Sequence, residues 1–200
     1  MDCIELGLFE KYRYIIGIDE AGRGPLAGPV FVCAFCCDKK DYQSLLTFRE
    51  LTDSKRLNEK KREKLYLGFK HRFNYSIKQA SHEEIDNLNI LNATLKKMEE
   101  ALLSFDKEIL KNSIILVDGN RSLNIPYPQK TVIKGDLKCK TIAAASIMAK
   151  VSRDIFMLEM DKLYPQYNFK KHKGYPTKEH RELIKKFGLS PIHRKSFKHF

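Results

Sequence analysis

The sequence predicts an α/β fold, one mixed central β-sheet flanked by helices, and three observations carry that expectation. Three short runs rich in β-favouring residues come first, a block of helical periodicity follows, and from residue 113 onward strands and helices alternate. Two of the runs, residues 14–18 and 113–117, are continuously apolar rather than alternating, as in strands covered on both faces. Both end in carboxylates, Asp19-Glu20 and Asp118. No internal repeat, low-complexity tract or linker divides the chain. Its 200 residues are therefore expected to form one catalytic domain, 1–200, able to bury a core without disulfides.

Each element has a local reason. The opening run Tyr14-Ile15-Ile16-Gly17-Ile18 reads as a buried strand that delivers Asp19 and Glu20 to its end. A loop containing Gly22, Gly24 and Gly28 follows, and residues 29–37 continue as a second strand, antiparallel to the first. Residues 38–57 are mixed and polar. Asn58 is placed to cap a helix from Glu59 to about Arg72. Phe73 to Ala80 reads as a third strand, and Ser81 with Glu84 fits a capping box. A longer helix from about Ile90 to Phe105 carries Leu91, Leu95, Met98, Leu102 and Phe105 on one face. Thr131 to Ile133 is a short strand, Lys134-Gly135-Asp136 a turn, and residues 138–163 the longest helix, stopped before Pro165. A basic loop over 170–176 leads to a helix opened by Thr177 and closed near Gly188, with an irregular basic tail beyond.

Composition narrows the partners. A formal charge of +12 and a pI near 9.4 favour a polyanion, nucleic acid before anionic membrane. No run approaches the roughly 18 apolar residues of a membrane span, and residues 1–5 do not open a secretory signal. A cytoplasmic protein is expected. The five cysteines form no disulfide framework. Cys33 and Cys36 lie within one strand, where alternation sends them to opposite faces, so they are read as packing residues rather than a metal clamp.

The chemistry is expected where carboxylates gather. If the first and fourth strands are parallel neighbours, Asp19 and Asp118 lie side by side at the C-terminal edge, the usual ligand edge of such sheets. On the longest helix Ser146, Lys150 and Asp154 share a stripe beside the apolar Ile147, Val151 and Ile155, which lets Asp154 overlook that edge. Clustered acids need a cation to ionise together, and their hard oxygens suit Mg²⁺ or Mn²⁺ rather than zinc. Each feature also has a plainer explanation. Asp19-Glu20 and Asp118-Gly119 are acceptable turn pairs, Asp154 a solvated helix charge, and Tyr175 a loop-packing residue beside Pro176. Lys55, Lys150 and Arg194 fit phosphate contacts or solvated charge equally well, and His172 and His193 fit phosphate-side or structural roles.

The motifs taken together bear on the acids, the glycine loop and Tyr175. DEAGRGPLAGPV, DSKRL, VDGN, KGD, AAASIMAKVSRD, HKGYPT and SPIHRKSF resemble, in order and over nearly the whole chain, those of bacterial ribonuclease HII within the type 2 ribonucleases H. The resemblance implies a ribonuclease H-like fold with a five-stranded mixed sheet and an endonuclease acting on RNA–DNA hybrids and on ribonucleotides embedded in duplex DNA. Carried over residue by residue, it places the catalytic and metal acids at Asp19, Glu20, Asp118 and Asp154, around a two-metal Mg²⁺ or Mn²⁺ site. It places the junction-sensing loop at Gly22, Arg23 and Gly24 and a sugar-stacking tyrosine at Tyr175. Cleavage is then expected 5′ of a ribonucleotide, leaving 3′-OH and 5′-phosphate ends, by a monomer whose basic segment from about residue 170 helps to bind substrate. The related type HIII usually has threonine where Arg23 stands and an extra N-terminal domain, so type HII is favoured. The competing expectations are a DNA nuclease, transposase or resolvase of the same broad fold, and a catalytically silent nucleic-acid-binding module. Neither needs a reader of a 2′-OH.

Overall fold

The computed structural model describes residues 4–51 and 57–200. In chain order the elements are α1 (Ile4–Leu8), β1 (Tyr14–Ala21), β2 (Val30–Asp38), α2 (Lys39–Leu46), α3 (Glu59–Lys70), β3 (Asn74–Ala80), α4 (His82–Leu88) and α5 (Ile90–Leu102). They continue with α6 (Lys107–Lys111), β4 (Ser113–Asp118), β5 (Gln129–Val132), α7 (Gly135–Lys138), α8 (Lys140–Leu163), a 3₁₀ turn (Pro165–Tyr167), α9 (Phe169–His172) and α10 (Lys178–Phe187). The five strands form one sheet in the order β3-β2-β1-β4-β5. β1 pairs antiparallel with β2, and β2 with β3, whereas β1–β4 and β4–β5 are parallel. The mixed sheet is as expected. Among the described residues no helix is long and apolar enough to cross a membrane.

Alternation along β2 divides the core. Phe31, Cys33, Phe35 and Cys37 pack with α2, α3 and the alanine-rich part of α8, while Val32, Ala34 and Cys36 pack with α5 on the other face. Cys33 and Cys36 therefore do lie on opposite sides of the sheet. The expected caps are present as well. Asn58 accepts from Lys61 N, Ser81 and Glu84 form the reciprocal capping box, and Thr177 accepts from His180 N.

Several local expectations need correction. Residues 39–46, read as part of a polar connection, form a helix capped by Asp38, the last residue of β2. A strand residue that doubles as an N-cap hides the boundary. Lys134 is left-handed and opens the one-turn helix α7, where a simple turn was expected. The fifth strand is displaced toward Gln129, leaving Ile133 exposed. α9 occupies the first half of the expected basic loop. Ile155, expected on the buried stripe of α8, is 43% exposed, because beyond Asp154 the inward face passes to Arg153 and Met157.

Two contacts fix α8 against the sheet. Gly17, in the middle of β1, meets its backbone so closely that an added Cβ would lie 2.3 Å from the Thr141 carbonyl carbon. The α8 N-cap, Cys139, provides no side-chain acceptor, and the buried Glu5 of α1 does so in its place. Glu5 Oε2 accepts from Lys140 N at 2.6 Å and from the Tyr42 hydroxyl at 2.9 Å, while Oε1 accepts from Thr141 N at 3.0 Å and the Thr141 hydroxyl at 2.6 Å. Glu5→Ala strips a buried cap of its acceptor and should lower unfolding stability by about 1–3 kcal/mol in urea titrations. An unchanged midpoint and slope would show that water or another group replaces it.

At the opposite end the 3₁₀ turn, α9, α10 and the tail enclose His172, His180 and His193, all buried. Burial, reinforced by the neighbouring histidines, lowers His180 to about 4 and His193 to about 3. The unfolded chain takes up these protons near pH 6.5 while the folded chain does not, so stability should fall as pH drops from about 6.5 toward 4. Comparing urea midpoints of the protein and of His193→Gln across that window isolates the contribution. The variant should be less stable at pH 7 but lose less on acidification, and parallel pH curves would contradict the assignment.

Candidate active site

The parallel pairing of β1 and β4 runs from Tyr14 opposite Ser113 to Ile18 opposite Val117. One step further along both strands come Asp19 and Asp118. Asp19 is buried, with Oδ1 accepting from Glu20 N at 2.7 Å, and Ser146 of α8 also hydrogen-bonds its side chain. Burial, together with the charges of Glu20 and Asp118, pushes the Asp19 carboxyl well above the usual carboxylate range. Asp118 Oδ1 accepts from Gly135 N at 2.7 Å, which ties the end of β4 to the start of α7. Asp154 is buried on α8, with Oδ1 held by Lys150 Nζ at 2.7 Å.

A cleft of about 260 Å³ opens over this edge. Asp19, Glu20 and Asp118 line its floor, Ser146 and Lys150 one wall, and Gly22, Arg23, Gly24 and Tyr175 the rim. Asp154 sits behind Lys150 rather than on the lining. The structure thus gathers the expected loop, tyrosine and three of the four acids around one opening, with the fourth acid one ion pair away. Among the described residues, no group of three or more His, Cys, Asp or Glu side chains is closed up enough to hold a metal ion as it stands.

The rim is held from behind. Arg153 of α8 donates from Nε to Pro29 O at 3.1 Å, from Nη2 to Ala27 O at 3.1 Å, and from Nη1 to Lys173 O at 2.9 Å. Arg194 of the tail donates from Nε to Gly28 O at 2.9 Å, from Nη1 to Arg23 O at 2.9 Å, and from Nη2 to Gly22 O at 2.6 Å. Gly22 has φ +103°, and a Cβ there would lie 2.2 Å from Arg153 Nε, so both the turn and the arginine require glycine. Burial lowers Arg153 to about 10, and burial with the charge of Arg153 lowers Arg194 to about 9, so both remain cationic at neutral pH.

Arg194 was expected among the phosphate contacts and is instead fully buried, bracing the glycine loop with its guanidinium. Lys150 does reach the cleft, but in an ion pair with Asp154. Lys55 lies outside the described residues. His172 and His193 are packed inside the C-terminal layer and do not face the cleft. Tyr175 is 38% exposed, with Lys150 Nζ 5.8 Å and Arg153 Cζ 5.7 Å from its ring centre. Arg23 pairs loosely with Glu20 at 3.4 Å.

Sequence reasoning missed two residues here. Arg62 of α3 lines the cleft and was only one of several charges on that helix, with nothing in the pattern to distinguish it. Arg153 was passed over beside Asp154, although a lone arginine in an alanine-rich, close-packing helix is a usable signal for a buried brace.

Comparison with known proteins shows the family and the fold. The ribonuclease HII family profile matches residues 16–200. The chain is 50% identical over 185 residues to the ribonuclease HII of Francisella tularensis subsp. novicida, covering 92% of this chain and 96% of the relative. The ribonuclease H2 of Pyrococcus horikoshii OT3 superposes with a TM-score of 0.77 at 28% identity, over 93% of this chain and 94% of that one. Bst-RNase HIII in complex with Mn²⁺, at 18% identity and a TM-score of 0.71, covers 97% of this chain and 70% of its own length and shares the fold. With the family profile spanning the strand ends, the glycine loop, the long helix and the tail, this chain belongs to the ribonuclease HII family of endoribonucleases.

Proposed function

We propose that this endoribonuclease hydrolyses the RNA strand of RNA–DNA hybrids and cuts on the 5′ side of ribonucleotides embedded in duplex DNA. The observation that carries the reading is the convergence of Asp19, Glu20 and Asp118 with Gly22, Arg23, Gly24 and Tyr175 on one cleft. Acids at the floor serve phosphodiester chemistry, and a glycine loop facing a tyrosine at the rim serves recognition of one sugar.

The donor set fits a hard divalent cation. Its ligands are carboxylate oxygens, and Asp19, raised first by burial and then by the charges of Glu20 and Asp118, stands in a crowded acidic setting that a cation would relieve. Asp19, Glu20, Asp118 and Asp154 would hold Mg²⁺ or Mn²⁺. Two such ions, when bound, would supply activation of the attacking water and stabilisation of the departing 3′ oxygen, leaving 3′-OH and 5′-phosphate ends. Lys150 compensates the charge of Asp154 at 2.7 Å, an ion pair that Asp154 would have to exchange for a metal contact to act as a ligand. The Mn²⁺ in the Bst-RNase HIII complex is consistent with this choice of metal.

Recognition follows from the braced loop. Gly22 O and Arg23 O face Arg194, and a planar trans peptide turns the following N–H groups, of Arg23 and Gly24, the opposite way. These amides sit on a loop that lines the cleft, where they suit the 2′-OH that distinguishes RNA from DNA. Across from them an ideal Cβ on Gly24 would stand 4.0 Å from Tyr175 Cε1. Tyr175 therefore lies where the sugar of the next nucleotide would meet its ring. The basic surface, with a +12 formal charge, suits the duplex itself. A single catalytic domain acting as a cytoplasmic monomer completes the reading.

The direct experiment is incubation with duplex DNA carrying one ribonucleotide, with Mg²⁺ and with chelator. Incision 5′ of the ribonucleotide only in the presence of metal supports the reading, and an equal rate in chelator excludes metal dependence. Asp118→Asn keeps the shape and drops the charge, so turnover in Mg²⁺ should fall at least about 10²-fold. Near-normal turnover would remove Asp118 from the site. Tyr175→Ala should lower incision at a single ribonucleotide while retaining most duplex affinity, since one contact of about 1–3 kcal/mol is lost among many to phosphates. Equal losses of binding and incision would make Tyr175 a general contact rather than a reader.

A further inference from the structure

Tyr175 stands on an unusual backbone. Lys173 and Gly174, immediately before it, are both left-handed, at φ +50° and +82°. A non-glycine residue in that region costs free energy and persists only where its surroundings over-determine it. Here each of three successive carbonyls is held. Lys173 O accepts from Arg153, Gly174 O from Leu26 N at 2.8 Å, and Tyr175 O from Thr177 N at 2.8 Å and from His180 Nδ1 at 2.9 Å.

The last of these bonds has a fixed polarity. Ser190 N donates to His193 Nδ1 at 2.8 Å, with the Ser190 hydroxyl 2.7 Å from the same nitrogen. A backbone N–H can only donate, so Nδ1 of His193 is an acceptor and a neutral ring carries its proton on Nε2. That Nε2 lies 3.0 Å from Nε2 of His180, which must then accept. His180 is left with its proton on Nδ1, aimed at Tyr175 O. His172, stacked on His180 at 4.2 Å, is set in the same way, accepting from Gly174 N at Nδ1 and donating from Nε2 to Tyr167 O. All three rings are therefore neutral, each with one tautomer, and a second proton on His180 would bring two N–H groups face to face.

We propose that Ser190, His193 and His180 form a one-directional hydrogen-bond relay that sets the backbone of Tyr175, making His180 and His193 positioning residues for recognition of the ribonucleotide junction. The chain end thereby governs the rim of the cleft although none of the three residues lines it. This inference rests on the junction-reading role of Tyr175 given above, and the two fail differently.

The test uses two substrates, duplex DNA with one ribonucleotide and a uniform RNA–DNA hybrid, and reads the ratio of their kcat/KM values. His180→Asn places an amide donor where Nδ1 stood, whereas His180→Gln places its amide where Nε2 stood and cannot reach Tyr175 O. His180→Gln should lower the ratio about tenfold, the value of one positioning hydrogen bond, and His180→Asn should restore it to within about threefold of the unmodified protein. In a Tyr175→Ala background His180→Gln should lower the ratio no further. Imidazole ¹⁵N–¹H correlation spectra of the unmodified protein at pH 7 should show protons on His180 Nδ1 and His193 Nε2, a readout that requires no variant to fold. Equal loss in the Asn and Gln variants, a further loss in the double variant, or a His180 proton on Nε2 would each overturn the relay. If Tyr175→Ala leaves the ratio intact while the spectra show the expected tautomers, the junction reading fails and the relay is reduced to an internal brace.

Discussion

Two buried guanidinium groups hold the rim of the site in shape. Arg153 and Arg194 lie out of water, and among the described residues their guanidinium groups make six donations, all to backbone carbonyls. Burying a charge is costly unless its hydrogen-bonding capacity is met, and a planar fork that satisfies several carbonyls at once meets it without a counter-ion. The constraint acts in both directions. Five carbonyls of residues 22–29 and one of residue 173 are turned inward, so a loop with little side-chain packing of its own has a defined shape. Lysine, with one compact head, could not span these acceptors.

The floor of the cleft depends on different constraints. Asp19 and Asp118 are placed by the parallel register of β1 and β4, and α8 is seated by the close approach at Gly17 and the cap from Glu5. Helix position fixes Ser146, Lys150, Arg153 and Asp154 together, since they share one rigid element. Thus α8 belongs to both halves of the site. Ser146 and Asp154 serve the acids, while Arg153, one residue from Asp154, serves the loop. A shift of this helix by a fraction of a turn would displace the acids and the braced loop together, and Gly17 and Glu5 both anchor it at its first turn.

What was legible in the sequence was local or periodic. Strand ends with carboxylates, the caps at Asn58, Ser81 and Thr177, and the opposite facing of Cys33 and Cys36 follow from neighbours within a few residues, and the structure places them as expected. The sharing of one cleft by the acids, the glycine loop and Tyr175 came from the ordered motifs, because nothing in periodicity relates residue 22 to residue 175. What was not legible were charges that leave water. Arg194, in a basic tail, read as a phosphate contact or solvated charge, while Glu5 and Arg153 were not singled out. Their burial depends on hydrogen-bond partners as far as 172 residues away in the chain, N–H donors for Glu5 and backbone carbonyls for the two arginines. Helix α2 was missed for a smaller reason, because its cap, Asp38, is also the final residue of a strand.

Placing recognition on backbone groups, as proposed above, would have a chemical consequence. A 2′-OH differs from hydrogen by one small polar group, and discrimination is strongest where the protein's own partner is otherwise left unsatisfied. Flexible side chains would adjust to its absence. Amides of Arg23 and Gly24, fixed through their preceding carbonyls by Arg194, cannot. The same logic would apply opposite them, where the three consecutive carbonyls of Lys173, Gly174 and Tyr175 are immobilised and the ring is the part proposed to meet substrate. On the proposed reading, the tail residues Ser190, His193 and Arg194 would set specificity without touching substrate. Variation there is expected to alter which junction is read while the acids at the strand ends continue to support hydrolysis.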